Sequence, residues 1–518
     1  MASSRRLQNS VPIKIIISQS RFPDADTFSR GGRTWTGALA FVDDIVLITR
    51  DPHQLQAMLD LCQNWCERSR MKINITKTNT MTFFPDASPR PLSWHINRRF
   101  PSPRRDTLTS VSCFKYLGVP LDDTLSMSPL KNDILDKIRK SSGKLSTTFK
   151  SFRSSQPGVS TLGQQSTSPS TRLQLWKSCV LVQATINLRY ITSQTHLNEI
   201  QRALSKSLQK AMGCYDCPLA LQGDLGVPPL EFFRLKEWAR MHFRYSSGNA
   251  PHLTKDLYLF RHRQQSILQC AEPEYNLERA VTQACQRLFP TWAPGSPLPE
   301  PRHLRTTHPQ RKEKSFARSL HSRISDLWRA EFLPAGDTDP APSQTSRVQA
   351  YTQLAQYDLQ RRDLFRPAVY IHATSSVCTS ALLRLRTQTS RHIPAHCKLG
   401  TTSGGRVSYK HFHDRHCHAC PGTVGDSAHY LTTCPRVHQT ILDTHRPVTN
   451  LLRQLRQPKW SSLSTSVQLS ILAGSTLPTI WKSNQAGRWH WTTNLTPHAA
   501  LLALRIEQHL NMAQPSHP

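Results

Sequence analysis

The chain of 518 residues contains no run of about eighteen apolar residues, so no membrane span is expected. A short apolar stretch from Val11 to Ile17 is interrupted by Lys14 and makes a poor signal peptide. Acidic residues are scarce: 34 Asp and Glu stand against 66 Lys and Arg, for a formal charge of +32. Such an excess implies a polyanionic partner, and for a chain without a membrane anchor that means nucleic acid held through its phosphates. Basic clusters at Arg98, Arg99, Arg104 and Arg105, and from Arg302 through Arg323, are candidate phosphate contacts or solvated faces. Apolar residues make up only 37% while prolines number 36, so part of the chain is expected to stay unpacked. A length of this order accommodates roughly three or four domains. The 13 cysteines are too scattered for a disulfide framework and suit a reducing, intracellular setting, in cytoplasm or nucleus. Cys62, Cys66 and Cys179 fall on apolar helical faces and read as core residues.

Two carboxylates, Asp43 and Asp44, interrupt an otherwise apolar stretch from Gly37 to Ile48. The flanks read as two short strands with the acidic pair at the turn between them. Like charges side by side are costly, and a divalent cation relieves that cost. Carboxylates on a rigid hairpin are what two-metal phosphoryl transfer requires. An Asp-Asp turn in an ordinary hairpin has the same appearance. Asp51 and Pro52 then provide a helix start, followed by Leu55, Met58, Leu59, Cys62, Trp65 and Cys66 on one apolar face. Next come Asn74, Lys77 and Thr78, a strand-like Met81 to Phe84, and Phe114, Tyr116, Leu117 and Gly118.

This ordered series resembles the palm of non-LTR (LINE-type) reverse transcriptases, with its aromatic-x-Asp-Asp hairpin, Asn-x-x-Lys-Thr segment and Phe-x-Tyr-Leu-Gly hairpin. The resemblance implies that Asp43 is the Mg²⁺-binding carboxylate and Asp44 its less essential neighbour. Phe41 takes the aromatic position, and Val42 lies near the incoming nucleotide or primer end. Asn74 and Lys77 border the nucleotide phosphates, with Lys77 assisting the leaving pyrophosphate; the plain alternative for Lys77 is a solvated surface lysine. Tyr116, Leu117 and Gly118 match the primer grip, the glycine allowing close backbone approach; the plain alternative for Tyr116 is a core tyrosine. In the intact family this machinery copies RNA into DNA from a nicked 3′ end, with Mg²⁺ and deoxynucleotides.

A two-metal polymerase needs a further aspartate from a strand before the hairpin, and residues 1–36 contain no such pattern. Asp24 and Asp26 read as loop residues. The fingers and first half of the palm are therefore expected to be missing, and the polypeptide alone is expected not to polymerise DNA. No acidic constellation for an RNase H and no endonuclease signature are found.

Beyond the hairpins the periodicity becomes helical. Leu130, Ile134 and Ile138 mark one helix, and Ser151 to Thr171 reads as a loop. Leu173 to Tyr190 marks another helix, and Leu197 to Met212 a third, stopped by Gly213. Asp224, Leu225 and Gly226 precede a helix bearing Phe233 and Trp238, and resemble the family's thumb, which implies contact with a template–primer duplex. Phe316, Leu320, Ile324, Leu327 and Trp328 form an amphipathic helix between Pro-rich segments.

The pattern C-x2-C-x8-H-x4-C at Cys417, Cys420, His429 and Cys434 supplies three thiolates and one imidazole, the ligand set of a closed structural Zn²⁺ site. Cys434-Pro435 and the upstream segment from Leu382 to Thr387 also resemble the family's C-terminal region. His411, His413, His416 and His418 are alternative ligands; Cys214 and Cys217 repeat the spacing without a nearby partner pair.

The fold expected is α+β. Residues 1–36 lack fingers, 37–125 form a partial palm with an antiparallel sheet and helices, and 126–248 form a helical thumb. Residues 249–345 are a linker with a helical connector, and 346–518 a mainly helical C-terminal region with a zinc module at 417–434. The function expected is that of a truncated RNA-directed DNA polymerase binding RNA and DNA. The alternative is a non-catalytic, zinc-dependent nucleic-acid-binding relic or domesticated protein.

Overall fold

Ile45, Val46, Leu47 and Ile48 form an unbroken apolar run, which is stable in a strand only when both faces are covered. In the computed structural model they lie in a sheet with protein on either side. The structure describes residues 10–11, 13–18, 38–41, 44–49, 52–83, 93–98, 104–151, 167–214, 218–246, 277–293, 298, 309–333, 351–355, 359, 363–368, 370–373, 376–387, 398–401, 407–409, 416–417, 420–424, 427–437, 439, 446, 449–450, 453, 459–474 and 497–506. Two units are distinguished, Met1–Ile134 and Leu135–Pro518.

In the first unit, β1 (Ser10–Val11) pairs parallel with β5 (Lys72–Ile73). A five-stranded sheet contains β2 (Ile13–Ser18), β3 (Ala38–Phe41), β4 (Asp44–Thr49), β6 (Asn79–Phe83) and β9 (Thr109–Ser110), in the order β3-β4-β2-β6-β9. The sheet expected from the sequence was antiparallel; the one found is mixed. The reason is β2, which enters between β4 and β6 and runs parallel to both. Its consecutive isoleucines suit a central strand. Helix α1 (Pro52–Arg68) covers one face of the sheet, packing Leu55, Met58, Leu59 and Cys66 with Leu47. Trp65 lies at the rim of that stripe and is 47% exposed, so it is not part of the core as the spacing predicts. On the other face Val46, Met81 and Phe83 meet Phe114, Tyr116 and Leu121. These come from the hairpin of β10 (Cys113–Tyr116) and β11 (Val119–Asp122). A separate two-stranded ribbon joins β7 (His95–Arg98) to β8 (Arg104–Thr107).

The helix α2 spans Ser128–Ser151, and its Leu130, Ile134 and Ile138 are buried. In the second unit α3 (Pro169–Trp176) opens at the Ser168 N-cap and continues through a π turn, Lys177–Leu181, into α4 (Val182–Thr185). Cys179 sits on that π turn and is exposed, off the buried stripe of Leu173, Trp176, Val180 and Ala184; the spacing had placed it in the core. Helix α5 (Gln194–Met212) ends at Gly213 in the left-handed conformation, φ 68°.

Helices α6 (Pro218–Leu225), α7 (Leu230–Ser246), α8 (Leu277–Leu288) and α9 (Pro309–Ala330) follow. Phe232, Trp238, Phe243, Phe289, Phe316, Trp328 and Phe332 form an aromatic core with Tyr351. The stretch read as linker and connector therefore supplies much of the core of this unit. Two further helices, α10 (Tyr370–Ala373) and α11 (Ser376–Arg386), pack near α3. Strand pairs β12 (Lys398–Thr401) with β13 (Val407–Tyr409), and β14 (His416–Cys417) with β15 (Cys420–Val424), precede α12 (Ser427–Thr432) and α13 (Thr465–Leu472). The content is α+β, mostly helical with small sheets. Among the described residues no helix is long and apolar enough to cross a membrane.

Candidate functional site

Antiparallel β3 and β4 pair Phe41 with Asp44 across the acidic turn. Asp44 begins β4 and is half-buried. Val42 and Asp43 lie outside the described residues, as does the side chain of Phe41. Neither neighbour of β4 carries a carboxylate: β3 reads Ala-Leu-Ala-Phe and β2 Ile-Lys-Ile-Ile-Ile-Ser. Among the described residues, no group of three or more metal-binding side chains forms around Asp44.

Asn74 caps the 3-10 turn Ile75–Lys77; its side-chain oxygen accepts from the Lys77 amide at 3.3 Å and from the Thr76 hydroxyl at 2.8 Å. Asn74 is thus a turn-former by local chemistry, and the Lys77 side chain is exposed on that turn. Tyr116 is half-buried against the sheet, and its backbone faces Val119 across a two-residue turn. The turn residues Leu117 and Gly118 have φ values of 46° and 84°, the left-handed pair that a tight hairpin demands. No atom lies within 4 Å of where a Cβ on Gly118 would sit, so φ, and not crowding by the protein, accounts for this glycine. Leu117 is 49% exposed in a conformation uncommon for its side chain. The basic cluster read from the sequence falls on the β7–β8 ribbon, where Arg98 stands opposite Arg104 and Asn97 opposite Arg105.

In the second unit the ligand atoms of Cys420, His429 and Cys434 all lie within 4.8 Å of one another. Helix α12 carries His429, and its end folds back so that the Cys434 amide donates to the His429 carbonyl at 3.0 Å. Cys434 and His429 are buried and Cys420 half-buried. The Thr433 hydroxyl is 2.9 Å from His429 Nδ1, a contact that orients the ring. Tetrahedral Zn²⁺ would hold such atoms about 3.5–4 Å apart, which the 4.8 Å bound accommodates. Thiol and imidazole donors suit that ion and not Mg²⁺. Cys417 is paired with Cys420 in the β14–β15 register, while its side chain lies outside the described set. The side chain of His416 is also outside it, as are His411, His413, His418 and Cys217. Cys214 is buried.

A third constellation was not legible in the sequence. Asp224, near the end of α6, is fully buried and forms an ion pair with the fully buried Arg386. Arg386 Nη2 and the Tyr351 hydroxyl donate to Asp224 Oδ1 at 2.9 and 3.0 Å. Arg386 Nε and the Tyr370 hydroxyl donate to Oδ2 at 2.9 and 2.6 Å. Burial and the neighbouring carboxylate push the Tyr370 hydroxyl well above its ordinary pKa, which keeps it a donor. The two segments that resembled family motifs, around Asp224 and from Leu382 to Thr387, thus meet in one network. Only the separate segments, not their contact, carried a sequence signal.

No curated protein matches the chain. The stretch that contains both the acidic and the Tyr116–Gly118 hairpins, residues 27–121, matches the family model described as "Reverse transcriptase (RNA-dependent DNA polymerase)", so a reverse-transcriptase domain lies there.

Proposed function

We propose that the chain is part of a non-LTR retrotransposon RNA-directed DNA polymerase, and that it binds a template–primer duplex of RNA and DNA. What carries the reading is the family match over residues 27–121 together with the hairpin register that sets Asp44 opposite Phe41. In such an enzyme Mg²⁺ supplies charge neutralisation for the incoming triphosphate, and Asp43 and Asp44 would be its ligands. Lys77 would face the phosphates, with Asn74 shaping its turn and Val42 bordering the nucleotide. Tyr116, Leu117 and Gly118 would hold the primer end. A structural Zn²⁺ would be held by Cys417, Cys420, His429 and Cys434, folding the C-terminal module without taking part in chemistry.

Polymerisation by these 518 residues alone is not expected, because neither strand hydrogen-bonded to β4 offers a second carboxylate. That observation also favours the second reading, a zinc-dependent nucleic-acid-binding protein in which Asp43 no longer matters. Primer extension on an RNA template, with Mg²⁺ and deoxynucleotides, separates the two properties. The expected result is binding of the hybrid without an extended product. Extension that Asp43→Ala abolishes would contradict the non-extending state, and failure to bind the hybrid would contradict both readings.

A further inference from the structure

Arg386 does more than neutralise Asp224. Its third nitrogen, Nη1, donates to the carbonyl of Ala473 at 2.9 Å, immediately after α13. Gly474 follows in the left-handed conformation, φ 68°, and a Cβ there would approach Leu382 of α11 to 3.1 Å. The end of α13 is therefore fitted closely to α11. Helix α13 also packs against α12, the helix that carries His429. Tyr430 and Leu431 on α12 are buried, as are Val467, Leu469, Ile471 and Leu472 on α13. The metal cage is thus joined to Asp224 through buried contacts: cage, α12, α13, Ala473, Arg386, Asp224. The Asp224 end is equally closed. Its own carbonyl accepts from the Ala368 amide at 2.7 Å. Nearby, a Cβ on Gly226 would lie 2.5 Å from the backbone of Arg366, with φ 63°.

We propose that metal occupancy of the Cys420–His429–Cys434 cage controls the order of the Asp224–Gly226 segment, with α13 and the Arg386 guanidinium as the coupling elements. The proposal rests on the zinc reading above. Without the ion, the thiols and imidazole no longer clamp α12; apolar packing still holds it to α13, and Ala473 is less firmly fixed. Arg386 then faces a mobile acceptor, and the bidentate geometry at Asp224 loosens. By linkage the effect runs both ways: a network intact at Asp224 tightens metal binding at the cage.

The test uses the full chain and hydrogen exchange, with Zn²⁺ added at equimolar concentration or removed by a chelator. The amides of Val227, Ala368 and Thr387 report the distant end, since they donate to the carbonyls of Gln222, Asp224 and Leu383. The amide of Val111, bonded to Thr80 in the first unit, is the internal reference. Metal removal is expected to speed exchange at the three distant amides on the order of tenfold, with Val111 unchanged. One Zn²⁺ bound per chain with faster exchange confined to residues 416–437 would overturn the coupling and leave the zinc site standing. No Zn²⁺ bound would overturn both. Arg386→Lys keeps the charge but not the fork, and is expected to weaken Zn²⁺ on the order of tenfold in competition with a chromophoric chelator. Unchanged Zn²⁺ affinity in that variant would also overturn the coupling.

Discussion

At Asp224, four donors reach a fully buried carboxylate, two on each oxygen. A buried pair contributes little net stability when intact, because desolvation offsets the attraction, but removing one partner leaves an uncompensated charge. Arg386→Leu is therefore expected to destabilise the second unit by about 3–5 kcal/mol, read as a lower midpoint in denaturant unfolding. Asp224→Asn combined with Arg386→Leu removes both charges and is expected to recover part of that loss. Equal midpoints for Arg386→Leu and the parent chain would contradict the role assigned to the pair. Individual residues were unevenly legible in the sequence. Asn74 and Gly118 were legible as special positions, yet their local reasons, a turn cap and a positive φ, required the backbone. Trp65 and Cys179 were misread because both lie beside, and not on, the buried stripe of their helices.

Among the elements, strong helical periodicity was readable and short apolar runs were not. Leu197 to Met212 and Phe316 to Trp328 fall in α5 and α9 as the spacing predicts. The run of isoleucines in β2 gives no period to distinguish a strand from a targeting segment, and its place between β4 and β6 depends on partners distant in sequence. Helix α9 was readable between its Pro-rich flanks, but its packing on α7 was not. Where these helices meet, Glu331 lies just beyond α9, and Glu231, at the start of α7, pairs with Arg287 at the end of α8. Burial, with Glu231 adding to it and Arg287 opposing, pushes the Glu331 carboxyl from its ordinary 4.5 to about 7. The folded state then holds a proton that the unfolded chain releases. Stability should be highest below the unfolded value and fall as pH rises from 4.5 toward about 7. Glu331→Gln is expected to flatten that fall, seen as a smaller drop in thermal midpoint between those limits. An unchanged pH profile in the variant would remove this carboxyl from the explanation.

For the molecule as a whole, composition gave the clearest message and the least local one. A formal charge of +32 implies a polyanion but names no surface. The β7–β8 ribbon gives it one candidate location, since Arg98 and Arg104 are register partners there. Three of the four Cys/His residues read from local spacing, Cys420, His429 and Cys434, meet in the structure, whereas the contacts that lead from them to Asp224 span residues that no spacing rule links. The central claim, that this chain holds a template–primer duplex through its phosphates, is tested most directly by fluorescence anisotropy of a labelled DNA primer annealed to RNA across a salt series. Affinity is expected to fall linearly on logarithmic axes, by about 10³ or more between about 50 and 200 mM salt if six or more phosphates are engaged. No association at about 50 mM, or an affinity indifferent to salt, would contradict the claim.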